Sequence, residues 1–147
     1  MDRLLDNDPG NSRESVQQRS VDFRQIMAAV SRDLENLLNT RRNIIIPPSI
    51  YSEVNNSLFV YGLPDFTNKN PATTSSRAKL RLEIAKTITR FEPRLKNVSV
   101  QIDTSPRSGR QLKFRIIAVL VVDPLAEAVS FDTDFDANRG QFSFNRQ

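Results

Sequence analysis

The spacing of the apolar residues changes once along this chain, at Pro93, and that change limits what the chain can fold into. Before it, Phe23, Met27, Val30, Leu34, Leu37 and Leu38 recur at steps of three and four, as do Leu80, Ile84, Ile88 and Phe91. Such steps place apolar groups on one face of a helix. After it, Val98, Val100 and Ile102 alternate with Ser99, Gln101 and Asp103. Alternation is the mark of a half-buried strand. The next strand is predicted over 111–122, with Leu112, Phe114, Ile116, Ala118, Leu120 and Val122 on one face. Its other face starts with Lys113 and Arg115 and continues with Ile117, Val119 and Val121, which predicts a central strand covered on both sides at its end. Val129, Phe131, Thr133 and Phe135 alternate again, and Phe142 and Phe144 close a short last strand. Helices followed by hairpin-linked strands make an α+β domain. Two main helices and a short one are expected to pack on a three- to four-stranded antiparallel sheet.

Punctuation sets the remaining boundaries. Residues 1–19 are polar, with Leu4 and Leu5 as their only apolar anchor, and are expected to form a tail ahead of a single domain over 20–147. Ser20 is a candidate N-cap for a first helix running to residue 41, where Arg41 and Arg42 complement the dipole. Residues 43–48 form an apolar run stopped by Pro47 and Pro48, either a brief edge strand or a connector. Ile50, Val54 and Leu58 predict a short helix, Tyr61 to Asp65 a turn and 66–75 a polar loop. Ser75 or Ser76 is expected to cap the second long helix. Lys79, Lys86 and Arg90 share its polar side, while Leu82 and Ala85 fall outside its apolar stripe, either loosely buried or in contact with a partner. Residues 104–110, 123–125 and 138–140 are expected to turn the chain. The short terminal strand is expected at a sheet edge, where free main-chain groups invite another chain.

Composition narrows the chemistry. The sequence holds no cysteine and no histidine. It therefore has no disulfide framework, no thiolate, and neither the commonest metal ligand nor the commonest general base. No cofactor or metal is expected. No apolar run approaches the roughly 18 residues of a spanning helix, so no membrane insertion is expected. The first residues carry no signal-peptide pattern, and the lack of cysteine suits the cytoplasm. The net charge of +4 is unevenly spread: residues 75–115 carry eleven bases and three acids, and 116–147 two bases and five acids. A basic middle reads either as ordinary solvated faces or as a surface for an acidic partner.

The helix must stop at Glu92-Pro93-Arg94, because proline lacks the N–H and clashes with the preceding turn. A glutamate there faces the negative end of the helix dipole and calls for a compensating partner. Arg94 is the near candidate and a second protein the distant one.

Four stretches together resemble a known family: Leu37 to Arg42; Ser57 to Asp65; Phe91 to Leu95 with Val98 and Val100; and Val129 to Thr133. In this order and spacing the chain resembles the TssE family of type VI secretion baseplate wedge subunits. It is also similar to the contractile-phage wedge proteins once labelled lysozyme-like. The resemblance spans about residues 20–144. It implies a structural, non-enzymatic protein of the cytoplasmic baseplate, at the inner face of the inner membrane, beside TssF, TssG and TssK. It implies a core similar to the interlocking part of a sheath subunit, offered by strand pairing to the first ring of the TssB/TssC contractile sheath. It implies docking on the TssF/TssG helical bundle through Glu92, Pro93 and Arg94; Glu92 and Arg94 are then expected to serve docking and not folding, and Pro93 to fix the bend. Tyr61, Gly62, Leu63, Pro64 and Asp65 match the family's turn. With Phe142 and Phe144 of the last strand, they complete the candidate partner-binding set.

Two rival functions are weaker. A glycoside hydrolase, suggested by the old label, needs two carboxylates about 5–10 Å apart on a sugar cleft. Arg94 beside Glu92 would lower the pKa of a general acid. Nucleic-acid binding wants aromatics interleaved with bases, and in the basic middle only Phe91 and Phe114 are aromatic, both in core stripes. Asp132 and Asp134 alternate on one strand face without a third candidate cation ligand nearby.

Overall fold

The computed structural model describes residues 16–66, 73–103, 111–122, 125–136 and 139–144. The chain falls into two compact units, residues 1–30 and 31–147. Of the first, the described part is helical from Val16 onward. The helix, α1 (Val16–Asn39), continues into the second unit. Ser20 is thus an interior helical residue and not the cap, and residues 16–19 are helix where a tail is expected. Leu4 and Leu5 lie outside the described residues.

In the second unit, Leu34, Leu37 and Leu38 of α1 are buried, as their spacing predicts. Residues 43–48 form a connector and not a strand. The short helix shrinks to α2 (Ser52–Asn55), followed by a 3₁₀ turn over Leu58–Val60. Its expected apolar face is not a face at all, because Ile50, Val54 and Leu58 are all exposed. Periodicity reports spacing, but only a neighbouring surface turns spacing into burial.

The second long helix, α3 (Thr74–Phe91), starts at Thr73, whose hydroxyl accepts from the Ser76 N–H. It buries Leu80, Ile84, Thr87 and Ile88 and packs against β1 (Leu95–Asp103). Burying an aliphatic side chain of this size contributes about 1.5–3 kcal/mol, so this face holds the helix where isolated propensity would not.

The sheet is antiparallel, in the order β1-β2-β3-β4, with β2 (Gln111–Val122), β3 (Leu125–Asp136) and β4 (Gln141–Phe144). It is an α+β fold. Leu112, Phe114, Ile116, Ala118 and Leu120 lie opposite Phe135, Thr133, Phe131, Val129 and Glu127. All but Glu127 are buried. Phe114, Phe135 and Phe142 form a ring cluster, with Phe135 and Phe142 4.6 Å apart. β1 carries one extra residue between Lys96 and Ser99, where Asn97 turns to φ 53°. This bulge lets Leu95 and Val100, five positions apart, both be buried.

The outer sheet face corrects one expectation. Ile117 and Val119 are half-buried and Val121 is 41% exposed, so no described element covers the end of β2 on that side. At its other end Arg115 forks onto Asp132, with Nε 2.6 Å from Oδ1. Leu125 belongs to β3, and the turn before it, like the 104–110 loop, lies outside the described residues. The β3–β4 turn closes through Gly140 at φ 62°, whose N–H donates to the Asp136 carbonyl.

Candidate functional site

The helix stop at Glu92 is a clasp. Glu92 ends α3 with its N–H donating to the Ile88 carbonyl at 2.8 Å, and its carbonyl accepts from Leu95 N–H at 3.1 Å. Its side chain folds inward, and the residue is 4% exposed. The Arg94 guanidinium grips both carboxylate oxygens: Nε donates to Oε1 at 2.6 Å and Nη2 to Oε2. The Arg94 backbone N–H adds a longer bond to Oε1 at 3.3 Å. The same Nη2 also donates to Oδ2 of Asp33 on α1 at 2.6 Å. One arginine therefore compensates the carboxylate at the helix end and ties α3 to residue 33. The hydrogen bond to Glu92 is the main cause holding the Arg94 pKa above its ordinary value. Tyr61 lies edge-on to Phe91, centroids 5.2 Å apart. Its phenol pKa is raised, first by burial and then by the charges of Asp33 and Glu92.

The expected division between docking and folding changes here. Glu92 is consumed within the domain, so it serves the fold. Pro93 is exposed and Arg94 is half-exposed, and these are the members open to a partner.

The turn from Tyr61 to Asp65 is sewn to the end of α1. Leu63 N–H donates to the Thr40 carbonyl at 2.9 Å, and Arg42 N–H donates to the Leu63 carbonyl at 2.8 Å. This one parallel bridge joins two of the stretches that carry the sequence resemblance. Gly62 has φ 94°, and a Cβ there would stand 2.3 Å from the Thr40 oxygen, so only glycine fits. Gly62 and Leu63 are buried, while Tyr61 and Pro64 are half-buried. Asp65 is exposed beside Arg41 at 3.6 Å.

The last strand holds a contact that sequence reasoning missed. The Asn39 side-chain amide donates to the Phe142 carbonyl at 2.9 Å, and its oxygen accepts from Phe142 N–H at 2.7 Å. Both main-chain groups of Phe142 therefore point away from β3, and Asn39 occupies the outer edge of β4 at this position. The Phe142 side chain is in the core and its main-chain groups are held by Asn39, while Phe144 is half-buried against Phe131. β4 covers only Thr133 to Asp136 of β3, leaving Leu125 to Asp132 without a strand neighbour on that side among the described residues. An asparagine ending a helix is an ordinary signal, and nothing local marks its partner over a hundred residues away.

Residues 24–125 match the family described as baseplate wedge protein gp25. The chain belongs to the baseplate wedge protein gp25 family. Its fold is similar to a chain solved in the baseplate complex from the type VI secretion system, with 19% identity and a TM-score of 0.52. That likeness covers 84% of this chain and 97% of the other. No curated protein matches. Within the wedge family's span lie α3, the Arg94 clasp, the Tyr61–Asp65 turn and the first two strands. Asn39 also lies within it, but its β4 partner lies beyond.

Proposed function

We propose that this protein is a structural wedge subunit of a type VI secretion baseplate, without enzymatic activity. The family match carries the reading, and the fold of the type VI baseplate chain supports it. In this reading the protein is cytoplasmic and assembles at the inner face of the inner membrane beside TssF, TssG and TssK. Pro93 and Arg94, held rigid by buried Glu92, dock on the TssF/TssG bundle, with Tyr61, Pro64 and Asp65 as the accessible part of the turn. A fixed guanidinium edge suits a directional, charge-assisted contact. The hydrolase reading loses its acid, because both Glu92 oxygens are engaged by Arg94.

The sheath of TssB and TssC joins by strand pairing. The geometry favours the free run of β3 over the edge of β4, where Asn39 already holds Phe142. In a strand, N–H groups point alternately to either neighbour. Because Phe142 faces Asn39, its opposite residue Phe135 faces β2, and by alternation Ala126, Ala128 and Ser130 face the free edge.

Copurification with TssF, TssG and TssK tests the assignment, and no association with any of them would refute it. Two prolines separate the interfaces. Ala128→Pro removes one outward N–H at an edge position, which folds tolerate, and should block sheath assembly while sparing the wedge. Ser143→Pro instead strikes a residue facing β3 and should loosen β4 itself. Normal sheath assembly with Ala128→Pro would rule out pairing on this edge.

A further inference from the structure

Leu82 stands in the middle of the outward face of α3 and is 68% exposed. At about 100° per residue, Thr89, Ala78 and Ala85 fall within about 60° of it on one side. Lys86, Lys79 and Arg90 follow within about 80° on the other. Arg81 lies beyond the alanines, so cations rim the strip on both flanks. Ala78 and Thr89 are exposed and Ala85 is half-buried. Glu83, the only acid of α3, is taken by Arg42 at 3.4 Å. Lys79, Arg81, Lys86 and Arg90 form no ion pair among the described residues.

The Arg42–Glu83 pair also sets the start of the 43–48 connector, which follows α1, beside α3. Ile44, two residues on, is 95% exposed, and its Cα lies within about 7 Å of that of Arg42. Lys86, Lys79 and Arg90 stand between Leu82 and Glu83 around the helix, so cations bound the strip on the side where Arg42 sits.

We propose that the outward face of α3, centred on Leu82, docks an acidic amphipathic helix of a partner protein. Small residues beside one large aliphatic group let a second helix approach to the usual 8–10 Å or so. Four unpaired cations select acidic flanks and speed encounter. Other occupants fit less well. The face has no aromatic on which a base could stack. One leucine between alanines and threonine gives little depth for a lipid interface. A second copy in the same orientation would set cations against cations. The proposal stands apart from the Arg94 clasp and the sheet edges, and does not depend on the baseplate assignment.

The test uses the full chain and a synthetic amphipathic helical peptide with a leucine face and glutamate flanks, beside its lysine-flanked counterpart. The glutamate peptide should bind, weaken with salt, and shift amide resonances from Ala78 to Arg90. Leu82→Asp, and separately Lys79→Glu with Lys86→Glu, should each weaken binding about tenfold or more. Arg24→Glu, an exposed charge on α1, should leave binding unchanged. Thermal melts establish that each variant is folded, and Leu82→Gln serves if Leu82→Asp is not. Four results would overturn the proposal: no binding, equal binding of both peptides, indifference to the α3 variants, or shifts elsewhere. Binding of these residues instead to phosphatidylglycerol vesicles, or a dimer burying Leu82 in sedimentation, would replace the helix with that occupant.

Discussion

Arg94 answers for two carboxylates of unequal burial. Glu92 is sealed in, whereas Asp33 is partly exposed. Removing the guanidinium strands a buried charge, so Arg94→Ala should cost about 2–4 kcal/mol in chemical denaturation. Asp33→Asn leaves the Arg94–Glu92 fork intact and should cost less than about 1 kcal/mol. Equal losses would mean that Asp33, and not Glu92, anchors the clasp. Arg94→Lys should not restore full stability, because a single ammonium cannot reproduce the fork. Any docking defect in Arg94→Ala must therefore be compared at matched folded fraction. Tyr61 reports the same cluster. Its raised pKa means the folded chain holds the phenolic proton more tightly than the unfolded chain. The contribution is complete below pH 10.0, the ordinary phenol value, and is lost as pH rises through the higher folded value. In Tyr51→Phe, Tyr61 is the sole remaining tyrosine, and its phenolate absorbance should titrate with a midpoint above 10.0. A midpoint at or below that value would contradict the burial beside Asp33 and Glu92.

Among the elements, β4 is the most dependent on another. It has four residues, short of the usual length of about five or six. It keeps its place through β3, the phenylalanine cluster and the Asn39 amide. Asn39→Leu removes two hydrogen bonds and should cost about 1–3 kcal/mol. Amide exchange should then quicken at Gln141 to Phe144 more than in β2. Uniform acceleration across the sheet would mean that β4 does not open separately. Gly62 fixes the other long-range join. Gly62→Ala drives a Cβ into the Thr40 carbonyl and should be among the most damaging single substitutions, at about 3 kcal/mol or more.

At the scale of the whole molecule, several large aliphatic groups stay in solvent: Ile44, Ile45, Ile46, Ile50, Leu58 and Leu82. Large exposed aliphatic groups in such number are candidates for interaction with other proteins. The fold itself gains little from these residues. Ile44→Ser with Ile46→Ser should change stability by less than about 0.5 kcal/mol in chemical denaturation. A large loss of stability would show that the connector is packed. The charge distribution acts at this scale too. Four cations of the basic stretch 75–115, Lys79, Arg81, Lys86 and Arg90, lie on the outside of α3, where they steer an acidic partner without stabilising the fold.

The sequence alone determined the element types, because apolar spacing is a local property. The alternation from Leu112 to Leu120 and from Val129 to Phe135 named the buried face of the sheet, and the Leu80–Ile88 stripe named that of α3. Pro93 placed the helix stop within one residue, since a missing N–H acts on the chain beside it. The same spacing misled at Ile50, Val54 and Leu58 and at the end of β2, where no described element lies opposite. Tertiary structure alone decided where the polar groups spend their hydrogen bonds. It turned Glu92 inward onto Arg94, brought Asp33 to the same guanidinium from 61 positions away, and set Asn39 against β4 across 103. Such pairings depend on which elements become neighbours in space, and no local pattern records that.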